Sequence, residues 1–128
     1  MAVPDQTVLV IVDDLFFLSK IQTTLNHLGL PAKAITNPGE LYDYLQIYTP
    51  ALAVVDLTLR AADAVSLITT IRTAHQGAAV PILAFGAHVA VDVRQQALHA
   101  GADRVVAKSE FSRHLPDLIR QLIRLDQE

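Results

Sequence analysis

The chain has 128 residues, 10 Lys plus Arg against 13 Asp plus Glu, a formal net charge of -3, and no Cys or Trp. That length suits one domain spanning residues 1–128, and the absence of Cys removes disulfide scaffolds, Cys-ligated zinc and thiol catalysis together. A hydrophobic fraction of 52% with 18% charged residues argues against disorder, and no Lys/Arg cluster offers a face for nucleic acid.

Along the chain, short apolar runs alternate with amphipathic stretches. The runs are Val8–Val12, Ala32–Ile35, Ala51–Val55, Val80–Phe85 and Arg104–Ala107, and three of them are almost purely apolar, as in parallel strands covered on both faces. Between them lie five helical stripes. The first is Leu15, Leu18, Ile21, Leu25 and Leu28, stopped by Gly29; the second is Leu41, Tyr44, Leu45 and Tyr48, closed by Pro50. The third is Val65, Ile68, Ile71 and Ala74, ended by Gly77, and the fourth is Val89, Val93, Ala97 and Ala100, ended by Gly101. Leu115, Leu118, Ile119 and Leu122 form the last. The uncharged run Thr73–Val91 is nearly long enough to span a membrane, but Gly77, Pro81 and Gly86 break it into a helix end, a strand and loops. The polar start MAVPDQ does not suit a signal peptide, so the expectation is a cytoplasmic chain with no membrane partner.

Five βα units in strict alternation predict an α/β fold, (βα)5: a flavodoxin-like, doubly wound, five-stranded parallel sheet in the order 2-1-3-4-5 with right-handed crossovers. In such a sheet, ligands bind outside the C-terminal ends of the strands. Asp13 and Asp14 follow the first strand, Asp56 ends the third and Lys108 ends the fifth. The first and third strands are neighbours at the switch point, so the three carboxylates should converge. Three carboxylates in a small volume repel one another, and a hard cation such as Mg²⁺ relieves that repulsion while leaving room for waters and a phosphate. The set suits Asp56 as a nucleophile toward a phosphoryl group, with Mg²⁺ and Lys108 neutralising its charge. Singly, each piece has an ordinary reading: an acidic pair before a helix is an N-cap, a strand-end Asp a turn residue, a lone Lys a solvated one.

With these residues in view, the sequence resembles the receiver domain of bacterial two-component response regulators over about residues 6–125. The pieces that carry the resemblance are VLVIVDD (8–14), AVVDLTL (53–59), VPILAFGA (80–87) and GADRVVAK (101–108). It implies Asp56 as phosphoacceptor. Asp14 would be the direct Mg²⁺ ligand, Asp13 its partner acting through water, and the backbone carbonyl of Thr58 a further ligand. Lys108 would pair with the acceptor and the phosphoryl group. It also implies a sensor histidine kinase, a phosphotransfer protein or a small acyl phosphate as donor. A downstream protein would read the face of helix 4, strand 5 and helix 5, with a homodimer as a further arrangement. Activity of its own would not go beyond self-phosphorylation from small acyl phosphates and self-dephosphorylation.

Departures from the family pattern lie at the switch positions. Gly86 stands where receivers carry Thr or Ser, whose hydroxyl bonds the phosphoryl group. A hydrogen bond to a charged group is worth ~1.5–3 kcal/mol, so its loss weakens the coupling by roughly ten- to a hundredfold. Val105 stands where a mobile aromatic is usual, and Ser109 replaces the Pro after the lysine, which favours a trans Lys108–Ser109 bond. In the loop after Asp56, Arg60 and Ala64 replace the common Pro and Gly, so the expectation is either a less rigid loop or an earlier start of helix 3. Acceptor and metal parts are thus complete while readout parts are altered, and two readings stay open: a phosphoacceptor, or a pseudo-receiver that binds partners without phosphorylation. A flavodoxin-like nucleotide or flavin binder lacks a Gly-rich loop after the first strand and aromatics to sandwich a flavin. The five His make no metal-binding pair; His88, beyond Gly86, either approaches the phosphoryl site or opens helix 4. Of Phe16 and Phe17, one should pack inward and the other sit exposed beside the site.

Overall fold

The structure is a computed structural model that describes residues 6–74, 79–87 and 91–123. Gly77, His75, His88 and Val89 lie outside the described residues. The elements run β1 (Val8–Ile11), α1 (Leu15–His27), β2 (Ala32–Ala34), α2 (Pro38–Ile47), β3 (Leu52–Asp56), α3 (Ala64–Thr73), β4 (Ile82–Gly86), α4 (Val91–Ala100), β5 (Arg104–Ala107) and α5 (Lys108–Ile123). The five strands form one parallel sheet in the order β2-β1-β3-β4-β5, as the alternation of elements implies.

The apolar runs become strands because both sheet faces are covered and successive side chains point to opposite faces. Val8, Val10 and Val12 face one core layer with Ile21 and Leu25 of α1 and Phe111, Leu115, Leu118 and Ile119 of α5. Leu9 and Ile11 face the other, with Leu41 and Leu45 of α2, Leu67, Ile68 and Ile71 of α3 and Ala97 of α4. Gly29, with a φ of 74°, ends α1 in the left-handed region. Asn37 caps α2, its side chain accepting from the Glu40 N–H at 2.9 Å, and Pro38 fills the first helical position.

Two apolar positions and one helix boundary depart from the sequence reading. Leu15 is 78% exposed; at ~100° per residue it lies roughly a quarter to a third of a turn from the Ile21 and Leu25 stripe. Tyr48 is the cap residue after α2 and is exposed, its ring tilted against that of Tyr44 with centroids 4.8 Å apart. The fifth helix begins at Lys108, directly after β5, rather than near Leu115. No Gly or Pro lies between Ala107 and Leu115, and Phe111 joins Leu115 at i+4 to extend the buried stripe. Pro116 then interrupts the backbone ladder, and His114 leaves helical geometry (φ -121°, ψ 21°), so α5 is two helical pieces across a kink.

Candidate functional site

The strand register brings the singled-out residues to one edge. Ile11 pairs with Val55, Asp56 with Phe85, and Gly86 with Ala107. The residues that end or follow these strands, Asp13 and Asp14, Asp56, Gly86 and Lys108, therefore share the C-terminal rim of the sheet. Each carboxylate is fixed there by its local chain.

Asp56 is the one charged or polar residue fully buried among the described residues, at 1% exposure. Its Oδ1 accepts from the Thr58 N–H at 2.8 Å and from the Thr58 hydroxyl at 2.7 Å. The first bond is the side-chain-to-amide closure of an Asx turn, which a strand-end Asp makes readily. Asp13 reaches across the rim to the loop after β3, where its Oδ2 accepts from the N–H groups of Arg60 and Ala61, both at 2.9 Å. Asp14 is the N-cap of α1, its Oδ1 accepting from the N–H groups of Phe16 (2.9 Å) and Phe17 (3.3 Å).

In each of the three carboxylates, one oxygen is bonded and the other meets no donor among the described residues. Among the described residues no three His, Asp or Glu side chains come together as a group that could hold a metal ion, so the three carboxylates share the rim without converging on one point as the sequence suggests. Spare oxygens without a cage fit Mg²⁺, which keeps several waters and takes only one or two carboxylates together with a phosphate.

Lys108 opens α5 at the end of β5 and forms no ion pair with Asp56 or any other carboxylate among the described residues. Its Nζ lies over the Phe17 ring, 4.3 Å from the centroid. Phe17 is half-buried against Phe85 of β4 (5.8 Å) and Phe111 of α5 (6.4 Å), and Phe85 and Phe111 are stacked at 3.9 Å. Phe16 points outward, 73% exposed, beside Leu15. Four Phe residues thus line the α1–β4–α5 side of the rim, a cluster the sequence signals only as scattered aromatics.

The switch positions are equally well placed. Gly86 is buried at the end of β4 and offers no hydroxyl. Val105 is buried in β5, and its carbonyl accepts from Arg94 Nη1 of α4 at 2.7 Å, which ties α4 to the open edge of the sheet. Ser109 is the second residue of α5, and no described peptide bond is cis. Arg60 is exposed.

The residues that sequence reasoning missed are Phe17 as the seat of Lys108, the Thr58 hydroxyl as a donor to Asp56, and Arg72. Arg72 of α3 donates to the Val80 carbonyl at 2.7 Å, to the Gly101 carbonyl, and to Asp103 Oδ2 at 3.1 Å. It clamps the N-terminal ends of β4 and β5, the pole opposite the carboxylates.

The family model of the response regulator receiver domain matches residues 8–120. No curated protein matches the chain. Among solved structures, the fold is shared with the receiver domain of a sensor histidine kinase from Pseudomonas aeruginosa, described with a magnesium ion coordinated in its active site cleft. That match has a TM-score of 0.80 at 23% identity and covers 93% of this chain and 98% of that one. A response regulator receiver domain from Bermanella marisrubri matches with a TM-score of 0.78 at 23% identity, over 94% of this chain and 99% of that one. The receiver domain of a signal transduction histidine kinase from Syntrophus aciditrophicus matches with a TM-score of 0.79 at 17% identity, over 95% and 94%.

Proposed function

This chain belongs to the response regulator receiver domain family, a signalling module of two-component systems, and from that premise we propose that it accepts a phosphoryl group on Asp56 in the presence of Mg²⁺. The observation that carries this reading is the burial of Asp56. A carboxylate taken out of water costs several kcal/mol unless it is compensated, and here the compensation comes from one neighbouring residue, Thr58, on one oxygen. A buried acid with an oxygen that meets no donor among the described residues, at a strand end on the functional rim, is suited to attack rather than to structure.

In the transfer, a bond forms between the free Asp56 oxygen and phosphorus as the bond from phosphorus to the donor's leaving group breaks. The donor is a phosphohistidine of a sensor kinase or phosphotransfer protein, or a small acyl phosphate. Asp14, Asp56 and the Thr58 carbonyl would hold Mg²⁺, with Asp13 acting through water, and the ion would supply positive charge to neutralise the transferred group. Asp13 keeps the loop that carries Thr58 in place through the Arg60 and Ala61 amides. Lys108, seated on Phe17 at the same rim, is the cation that the new anion attracts. The output is a changed protein–protein interface on the face of α4, β5 and α5, where Arg94 joins α4 to β5.

The test is intact-mass spectrometry after incubation with acetyl phosphate, with and without Mg²⁺, on the chain and on Asp56→Asn. A Mg²⁺-dependent gain of one phosphoryl group that Asp56→Asn lacks is expected. If no gain appears, and beryllofluoride moves no NMR resonance around Asp56, the domain works as a phosphorylation-independent binding module instead.

A further inference from the structure

We propose that Arg94 senses the phosphoryl group in this chain: its guanidinium leaves the Val105 carbonyl and takes an oxygen of the group on Asp56, in place of the hydroxyl that Gly86 lacks. This rests on the reading of Asp56 as the acceptor. Arg94 is the fourth residue of α4 and is half-buried. Its Nη1 donates to the Val105 carbonyl at 2.7 Å, and it meets no carboxylate or other acceptor among the described residues. A guanidinium carries five N–H donors and cannot shed its charge. A cation partly withdrawn from water and answered only by one neutral carbonyl is poorly compensated. An anion is the partner that it lacks.

The strand register puts this cation next to the acceptor's rim. Asp56 pairs with Phe85, Ala84 with Val105, and Gly86 with Ala107. Ala84 and Val105 face the core layer that also holds Ala97 of α4. Gly86 comes two residues after Ala84 and so presents the same face. A Thr or Ser at this position would stand on the face from which Arg94 approaches, and Gly86 puts no side chain there. β3 and β5 are two strand spacings apart, about 10 Å, a span that a phosphorylated Asp56 and an arginine close from its two ends. Lys108 comes from the other face, seated on Phe17, which packs with the layer of α1 and α5. The two cations thus reach the rim from opposite sides of the sheet.

The exchange of partners is driven by charge. A bond from a guanidinium to a phosphoryl oxygen has both partners ionised and is frequently bidentate, whereas Val105 offers a neutral carbonyl. Before phosphorylation Arg94 therefore ties α4 to β5. Afterwards the same side chain binds the new anion and the tie is released, so one residue both reads the phosphoryl group and changes the seam between α4 and β5.

The experiment titrates beryllofluoride with Mg²⁺ into wild type, Arg94→Gln and Arg94→Lys, and reads affinity from the fluorine NMR signal of the bound ligand. In wild type it also follows the Nε–H resonance of Arg94, identified by its absence from Arg94→Gln. That resonance should move as the ligand saturates. Arg94→Gln should bind about tenfold more weakly than wild type. Arg94→Lys keeps the charge and loses the fork, so it should fall between the two. An Arg94 resonance that stays in place at saturation, an Arg94→Gln variant that binds as tightly as wild type, or an Arg94→Lys variant as weak as Arg94→Gln would overturn the proposal and leave Asp56 as the acceptor. A wild-type chain that binds no beryllofluoride would overturn both.

Discussion

The ammonium of Lys108 rests on the ring of Phe17, 4.3 Å from its centroid, and pairs with no carboxylate among the described residues. Phe17 lies three residues after Asp14 on α1, and Phe111 lies three residues after Lys108 on α5. Through Phe17, Phe85 and Phe111 the lysine is thus seated on a cluster that joins α1, β4 and α5. A cation over an aromatic face is worth about 0.5–1 kcal/mol at exposed sites, less than a charge-assisted bond to an anion. On the proposed function, a phosphoryl group on Asp56 is therefore expected to draw the lysine off this seat.

In NMR spectra the ε-methylene protons of Lys108 should be shifted upfield by the Phe17 ring. Beryllofluoride with Mg²⁺, standing in for the phosphoryl group, should relieve that shift as the ammonium leaves the ring. Phe17→Leu should abolish the upfield shift before any ligand is added. Lys108 resonances that keep the same position in all three samples would show that the ring is not its seat.

Asp13 spans from the end of β1 to the amides of Arg60 and Ala61, so the loop after β3 depends on a side chain 47 residues earlier. Asp13→Ala removes the acceptor for both N–H groups, whereas Asp13→Asn retains a carbonyl oxygen that can accept them. Hydrogen exchange at the Arg60 and Ala61 amides should accelerate about five- to tenfold in the alanine variant, the worth of about 1 kcal/mol per bond. The asparagine variant should stay near wild type. Equal exchange in wild type and Asp13→Ala would mean that the loop holds itself.

At the opposite pole, Gly101 has a φ of 128°, and a Cβ placed there would lie 2.8 Å from Nε and 3.0 Å from Cγ of Arg72. Gly29 also has a positive φ, 74°, but open space around its would-be Cβ. Gly29→Ala should cost about 1 kcal/mol from backbone conformation alone. Gly101→Ala should cost about 3 kcal/mol, because backbone strain and crowding act together. Removing Arg72 leaves the Val80 and Gly101 carbonyls without a donor, yet it also frees the space that the new methyl needs. The double variant Arg72→Ala, Gly101→Ala should therefore be less destabilised than the sum of the single variants. Urea denaturation of the four proteins at constant m-value measures this. Strict additivity would show that the two sites do not press on each other.

The strands and their order were legible because a parallel strand covered on both faces must be apolar throughout, as Val8–Ile11 and Leu52–Val55 are. Asp13, Asp14, Asp56 and Lys108 could be placed at one rim for the same reason: each interrupts or ends such a run. The start of α5 was less legible, because the reading waited for the Leu115 stripe and passed over Phe111, which extends it by one turn. An Asp at a strand end followed by Thr two residues on was a visible signal for the turn that Thr58 closes. Nothing in the sequence signalled that the Thr58 hydroxyl and amide would select the same oxygen.

By itself, then, the sequence determined the (βα)5 alternation, the parallel sheet and the residues that reach its functional rim, since hydrophobic period and strand ends are local properties of the chain. Only the tertiary structure decided what each rim residue touches. That Lys108 sits on Phe17, that Asp13 holds the Arg60–Ala61 amides, and that Asp56 keeps one oxygen clear of Thr58 depend on distances between segments far apart in sequence or on side-chain rotamers. Those distances are set by the packing of α1 and α5 on one face of the sheet, and by the turn each chain segment makes as it leaves its strand.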